Sequence, residues 1–129
     1  MSDEQPIRYA VRYSTRARRD FDFAVADYND YTGDERRAAQ LYQRIDDTAM
    51  SLGELPDRYA VAEQESAVLG FTVRRVLARL SRNSVVAYHL LYYAVEQSDD
   101  GPRVTVVHIR HASRAPMTAD EARDIKAQQ

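Results

Sequence analysis

Hydrophobic and polar residues follow two different periods in the first half of the chain. From Ile7 to Ser14 the two classes alternate, which is typical of a half-buried strand. Over Thr15–Tyr31 and again over Asp34–Leu52, apolar residues recur every three or four positions. This spacing places them along one side of a helix and predicts two amphipathic helices.

Capping residues mark the ends of both helices. Ser14 or Thr15 is suited to cap the first helix, and Gly33 follows its last apolar residue. Asp34 is suited to cap the second helix, which ends before Pro56. Because only a short connection separates the two helices, they are expected to pack as an antiparallel hairpin.

The second half of the chain is rich in strand-like runs. Residues 55–69 lack a clear period and are interpreted as a long loop that could include a short turn of helix. The runs Phe71–Ala78, Ser84–Gln97 and Arg103–Arg110 follow, separated by turn-forming residues, and predict an antiparallel meander. Residues 118–128 read as a short polar helix or tail.

The order β-α-α-β-β-β predicts a single α+β domain in which an antiparallel sheet packs against the N-terminal helical hairpin. Residues 1–114 are expected to form this domain, and residues 115–129 a C-terminal tail or short helix. The predicted core includes Tyr9, Val11, Phe21, Ala24, Tyr28, Leu41, Ile45, Leu52, Val73, Leu90 and Tyr92.

Composition narrows the functional classes. The chain has 129 residues and no cysteine, which excludes disulfides, thiolate metal sites and cysteine nucleophiles. No signal peptide or span of about 20 apolar residues is evident, so a cytoplasmic location without membrane insertion is expected. Residues 70–114 carry seven Arg against three acidic residues, a net charge of +4, whereas residues 1–70 have a net charge of −5. Such asymmetry indicates an acidic or polyanionic partner for the basic part.

Two groups of residues could carry chemistry. Arg74 and Arg75 lie in a predicted strand, where a guanidinium can bind a phosphate or a partner's carboxylate, or can be merely solvated. His111 and Arg114 follow the last strand and could serve in phosphodiester cleavage, or could instead fix the end of the strand. Tyr93 could stack on a base, although buried packing is the alternative. The histidines and acidic residues lack metal-ligand spacing, and no cofactor motif is present.

Several sequence segments together resemble the RelE/ParE superfamily of bacterial type II toxins. They are Tyr9–Ser14 followed by Ala17, the apolar positions of the second helix with Pro56 ending the hairpin, Gly70–Arg75, Tyr88–Tyr93, and Val104–Arg114. The similarity covers residues 7–114. It implies the β-α-α-β-β-β fold and a cognate antitoxin partner. An acidic antitoxin segment that folds on binding would suit the basic stretch.

The resemblance favours ParE-like over RelE-like toxins. RelE-like members use basic residues on the sheet, often lysine, and a C-terminal tyrosine, whereas this chain has Ala112 after His111 and ends the pattern at Arg114. A ParE-like toxin inhibits DNA gyrase and stabilises plasmids. The resemblance leaves two alternatives, a ribosome-dependent mRNA endonuclease that needs no metal, and a degenerate toxin that only binds an antitoxin.

The cleavage and binding hypotheses each predict a set of site residues. For cleavage, the candidate catalytic residues are Arg74, Arg82, His111 and Glu63, with Glu65 as an alternative acid. For binding, the candidates are Arg74, Arg75, Arg79, Arg110 and Arg114.

Overall fold

The computed structural model describes residues 8–80, 88–113 and 117–128. Its strands are β1 (Ala10–Tyr13), β2 (Arg74–Arg79), β3 (Tyr88–Ser98) and β4 (Gly101–His111). Its helices are α1 (Thr15–Thr32), α2 (Glu35–Ser51), α3 (Glu63–Leu69) and α4 (Ala119–Ala127), with a 3-10 turn at Pro56–Arg58. These elements confirm the predicted α+β class.

The predicted capping residues lie at the ends of the helices of the hairpin. The Ser14 hydroxyl accepts a hydrogen bond from the backbone N–H of Ala17 at 3.0 Å, which caps α1. Gly33 ends α1 with a φ of +63°, a left-handed conformation that glycine adopts without strain. The Asp34 carboxylate accepts from the first N–H groups of α2. Local capping chemistry therefore fixes both helices.

The sheet is mixed, with the strand order β1-β4-β3-β2. β2, β3 and β4 form the predicted antiparallel meander, but β1 pairs parallel to β4, which corrects the expectation of a wholly antiparallel sheet. The backbone N–H of Tyr9 donates to the carbonyl of Gly53 at 2.8 Å, so the hairpin returns the chain to the end where β1 began. β2 therefore runs parallel to β1. The chain reverses its direction before β3 and again before β4, so β4 also runs parallel to β1.

Both faces of the sheet are covered. The hairpin packs on one face around Phe21, Leu41 and Ile45, as predicted. On the other face, α3 and α4 bury Leu69 and Ile125, a layer that the sequence analysis did not anticipate. Of the predicted core, Phe21, Leu41, Ile45, Leu52, Val73 and Tyr92 are buried, and Tyr9, Val11, Ala24, Tyr28 and Leu90 are half-buried.

An irregularity in the β3–β4 ladder shapes the second face. The register shifts between Tyr92 and Tyr93, so that Tyr92 lies opposite His108 whereas Tyr93 lies opposite Val106. Val107 is the extra residue of this bulge and packs in the same cluster as Tyr92. The His108 ring stacks on Tyr92 with 5.9 Å between centroids. The bulge therefore places the His108 ring on the same face of the sheet as Tyr92.

Candidate functional site at the end of β4

A buried polar cluster surrounds Tyr92 beneath α3. Arg110 donates to the Tyr92 hydroxyl from Nε at 3.2 Å and from Nη2 at 2.9 Å. The hydroxyl in turn donates to Oε1 of Glu65 at 3.3 Å, and Arg110 Nη2 lies 4.0 Å from the same oxygen. Burial raises the pKa of Tyr92, and this effect outweighs the opposing influence of Arg110. The cluster therefore holds a neutral hydroxyl between a cation and a carboxylate.

His108 connects this cluster to α1 and α4. Its side chain is 2% exposed, and its Nδ1 lies 2.8 Å from Oδ2 of Asp20 on α1. Its Nε2 lies 3.7 Å from Oε2 of Glu121 on α4, too far for a hydrogen bond. The imidazole is thus oriented by one close carboxylate and flanked by a second.

Asp20 takes the place of a strand partner at the edge of β4. β1 pairs with β4 only as far as Val106, and Asp20 Oδ2 accepts the backbone N–H of Ile109 at 3.1 Å. The other carboxylate oxygen accepts from Nε of Arg16 at 2.9 Å. One carboxylate therefore satisfies a backbone group, a buried histidine and a guanidinium.

Arg16 attaches α4 to this assembly. Its Nη1 donates to Asp124 at 2.7 Å, and its Nη2 lies 3.6 Å from Glu121. The hydrogen bond from Arg16 lowers the pKa of Asp124 and outweighs the opposing effect of burial. α4 is further fixed by the buried side chains of Ala122 and Ile125. The C-terminal helix is thus part of the folded domain rather than a frayed tail.

A cleft of about 900 Å³ opens beside this network, between α1 and the end of β4. The α1 wall presents Phe23, Asp27 and Tyr31, and the opposite wall includes His111 and Arg110. Phe23 is 58% exposed and Tyr31 is 76% exposed, unusual values for large aromatic side chains. The cleft therefore joins exposed aromatic surface to the polar end of the sheet.

The predicted arginines do not form one basic surface in the described residues. Arg74 is tied to the 3-10 turn, donating to the carbonyl of Tyr59 at 2.6 Å and to that of Asp57 at 3.2 Å. Arg110 is engaged with Tyr92, as described above. The side chains of Arg75 and Arg79 are exposed on β2. The predicted site residues Arg82 and Arg114 lie outside the described residues.

The candidate cleavage residues are separated by the sheet register. Arg74 pairs with Tyr93 on β3, whereas His111 pairs with His89. Four residues along a strand correspond to about 13 Å, so Arg74 lies level with the middle of β3 whereas His111 lies level with its first residues. Glu63 is exposed in the first turn of α3. It is Glu65 that points into the core.

Sequence reasoning missed the roles of Asp20 and Arg16. Neither residue was a predicted site residue, and 88 residues separate Asp20 from His108. Spacing within the chain gives no signal of such a contact. Tyr93 is fully buried, and its hydroxyl donates to the carbonyl of Pro56 at 2.5 Å, so the predicted stacking on a base is wrong. Burial raises its pKa to about 12.

The described part of the chain shows neither a metal-binding cluster nor a membrane-spanning helix. Its His, Asp and Glu residues include no group arranged to hold a metal ion. None of its helices combines the length and apolar character needed to cross a membrane.

Comparison with known proteins identifies the family. Residues 11–116 match the family model described as the ParE toxin of type II toxin-antitoxin systems, parDE. No curated protein and no solved structure is significantly similar to the chain. The match covers most of the 129 residues and all the strands of the sheet except the first residue of β1. It confirms the resemblance seen in the sequence, and the chain therefore belongs to the ParE toxin family of type II toxin-antitoxin systems.

Proposed function

We propose that this toxin acts in the cytoplasm by inhibiting DNA gyrase, and that a cognate antitoxin neutralises it. Membership of the ParE family implies the antitoxin partner. The family assignment also favours gyrase over the ribosome as the target. Plasmid stabilisation is the expected biological outcome of such a pair.

The position of Arg74 is the observation that most supports gyrase inhibition over mRNA cleavage. Cleavage by the predicted residues needs a guanidinium beside an acid and a histidine, so that charge stabilisation and proton transfer act on one phosphate. The Arg74 guanidinium instead donates to two backbone carbonyls, and His111 lies about four residues further along the ladder. Glu65, the alternative acid, points from α3 into the core, where its carboxylate accepts from the Tyr92 hydroxyl. An RNA phosphate would not reach these groups together.

Two assays on the purified chain distinguish the targets. We expect it to inhibit supercoiling by gyrase and to leave ribosome-bound mRNA uncut. In cells, we expect filamentation and a DNA-damage response while translation continues. Ribosome-dependent cleavage without an effect on supercoiling would establish the endonuclease alternative. Antitoxin binding without either activity would identify a degenerate toxin.

The variants Glu63→Gln and His111→Gln further distinguish gyrase inhibition from mRNA cleavage. Both variants should leave gyrase inhibition unchanged, because Glu63 is exposed and the Nδ1 of His111 accepts a local hydrogen bond from the Ser113 N–H at 3.1 Å. Either variant would abolish activity if the predicted cleavage residues acted together on RNA. A circular-dichroism spectrum of each variant controls for loss of fold.

Exposed arginines on β2 remain candidates for partner contact. Arg75 and Arg79 point to the same face of the strand, because they are four residues apart. A guanidinium at each position could bind a carboxylate of the antitoxin or of gyrase. Arg74, Arg110 and Arg114 stay as proposed contacts from the sequence, although the first two are already engaged within the domain.

A further inference from the structure

One ring nitrogen of His108 has no hydrogen-bond partner among the described residues. The His108 side chain is 2% exposed, and its Nε2 is buried without a bond. Buried polar atoms in native proteins are nearly always hydrogen-bonded, so an exception calls for a physical explanation. Oε2 of Glu121 on α4 lies 3.7 Å from this nitrogen. The unsatisfied atom therefore faces a carboxylate of the C-terminal helix.

The contact of the other nitrogen determines where a neutral His108 carries its proton. Nδ1 lies 2.8 Å from Oδ2 of Asp20, an oxygen that also accepts the backbone N–H of Ile109. An ionised carboxylate can only accept, so the proton of the neutral imidazole lies on Nδ1. Nε2 then directs a lone pair at the Glu121 carboxylate, and two acceptors cannot form a hydrogen bond. A second proton, on Nε2, would make this contact favourable.

Glu121 is positioned at the start of α4 to receive such a proton. Its Oε1 accepts from the backbone N–H of Thr118 at 3.2 Å, as part of a capping box. Its Oε2 lies 3.6 Å from Nη2 of Arg16, which is also outside hydrogen-bond distance. An approach of about 1 Å would bring Oε2 within hydrogen-bond distance of His108 Nε2. The local structure of α4 therefore supplies the acceptor.

The charges around His108 favour one added proton. Carboxylates outnumber guanidiniums in the ion-paired cluster between α1 and α4. The members of this cluster are Asp20, Glu121, Asp124, Arg16 and Arg19. On the sheet, the ring stacks on Tyr92, whose hydroxyl stays neutral because burial raises its pKa. Arg110 and Glu65 both contact that hydroxyl and offset each other. A protonated imidazole would therefore balance the remaining negative charge.

We propose that His108 is a proton-dependent latch, a contact that holds α4 on the sheet when both ring nitrogens are protonated. The proton on Nε2 is donated to Oε2 of Glu121. Without this proton, α4 is held by Arg16 and by the apolar contacts of Ala122 and Ile125 alone. Because attached α4 binds the proton more tightly than detached α4, attachment strengthens as the pH falls from about 8 to about 5.5, where imidazoles gain charge. This latch goes beyond the proposed toxin function and does not depend on the target.

Amide exchange of the full chain tests the latch. Protection factors of the α4 amides, which correct for intrinsic exchange rates, should rise at least about tenfold from about pH 8 to about pH 5.5, since a charge-assisted hydrogen bond forms. Glu121→Gln keeps the capping box, and its amide can donate to neutral Nε2, so its α4 protection should change less than about twofold. Constant protection in the wild type, or an unaltered rise in Glu121→Gln, would overturn the proposal.

Two control variants should keep the rise seen in the wild type. Asp120→Asn removes a carboxylate from the same turn of α4, but this side chain is 88% exposed and pairs with Arg123. His111→Gln removes another histidine that lines the cleft beside His108. Loss of the rise in Asp120→Asn would indicate a general effect of charge on the helix, and loss in His111→Gln would assign the proton to His111. Either result would overturn the latch.

NMR spectroscopy of the wild-type chain identifies the protonated group directly. The nitrogen-15 shifts of each imidazole should show His108 passing from the Nδ1–H form to the doubly protonated form over the range in which α4 protection rises. His89 also lines the cleft, and the same spectra measure its protonation separately. A His108 ring that stays neutral down to about pH 5.5 would overturn the proposal even if α4 protection rises.

Discussion

Asp20 and Ile109, 89 residues apart in the sequence, are joined by a hydrogen bond of 3.1 Å from the backbone N–H of β4 to the carboxylate of α1. The same carboxylate oxygen lies 2.8 Å from Nδ1 of the buried His108. This contact closes the sheet edge where β1 ends. Both residues also line the cleft between α1 and the end of β4.

Replacing Asp20 should destabilise the domain. Asp20→Ala would leave the Ile109 N–H and the His108 imidazole without their acceptor, at a cost of about 2–3 kcal/mol in the free energy of unfolding. Urea unfolding measures this loss. Asp22→Ala is the matched control, because Asp22 is exposed and its pair with Arg18 should contribute less than about 1 kcal/mol. Equal losses for the two variants would contradict the role given to Asp20.

Arg74 is expected to act through the fold rather than through a ligand. Arg74→Ala removes charge-assisted hydrogen bonds to two carbonyls of the 3-10 turn and should cost about 2 kcal/mol of stability. Arg74→Lys should recover only part of this, because an ammonium cannot reproduce the planar guanidinium fork. Arg75→Ala, at an exposed position, should change the unfolding free energy by less than about 0.5 kcal/mol. A stable Arg74→Ala variant that had lost toxicity would favour direct contact with a target.

Gly53 should tolerate no side chain. A Cβ at this position would lie 2.7 Å from the backbone carbonyl of Tyr9, where the hairpin returns to β1. Gly53→Ala is therefore expected to cost about 2–3 kcal/mol through displacement of the β1 entry. Gly33→Ala is a useful comparison, since it meets no atom within 4 Å and should cost only about 1 kcal/mol from its positive φ. Thermal unfolding of both variants should rank them in that order.

Attachment of α4 should weaken in acid. The pKa of Asp124 is lowered below its ordinary value of 3.8 by Arg16, so its stabilising contribution is complete above that pH and is lost as the pH falls through the folded-state value. The protection factors of the α4 amides, which correct for the slower intrinsic exchange in acid, should therefore fall as the pH drops from about 5 towards about 2. Asp124→Asn should remove most of this dependence on pH, whereas Asp100→Asn should leave it intact. An identical acid response in the wild type and Asp124→Asn would contradict the assignment.

The prediction of the site from sequence was limited by distance along the chain. The resemblance to the toxin superfamily identified the family. His111 was expected just after the last strand and is the final residue of β4. The contact between Asp20 and His108 was not predicted, because only the packing of α1 against β4 brings these two residues together. Likewise, the choice between Glu63 and Glu65 depends on how α3 is rotated on the sheet. That rotation buries Glu65 and leaves Glu63 exposed.

The sequence by itself determined the local elements and the family. Ser14, Gly33 and Asp34 set the ends of the hairpin through contacts within a few residues, and the three- to four-residue apolar spacing selected its buried side. Tertiary structure alone decided the parallel direction of β1 and the layer of α3 and α4 on the second face. The runs Leu91–Ala94 and Val104–Ile109 are buried without alternation, as is expected of strands covered on both faces. The direction of β1 and the covering of the second face depend on which surfaces remain exposed after the helices and strands have formed. Residues close together in the chain do not determine that.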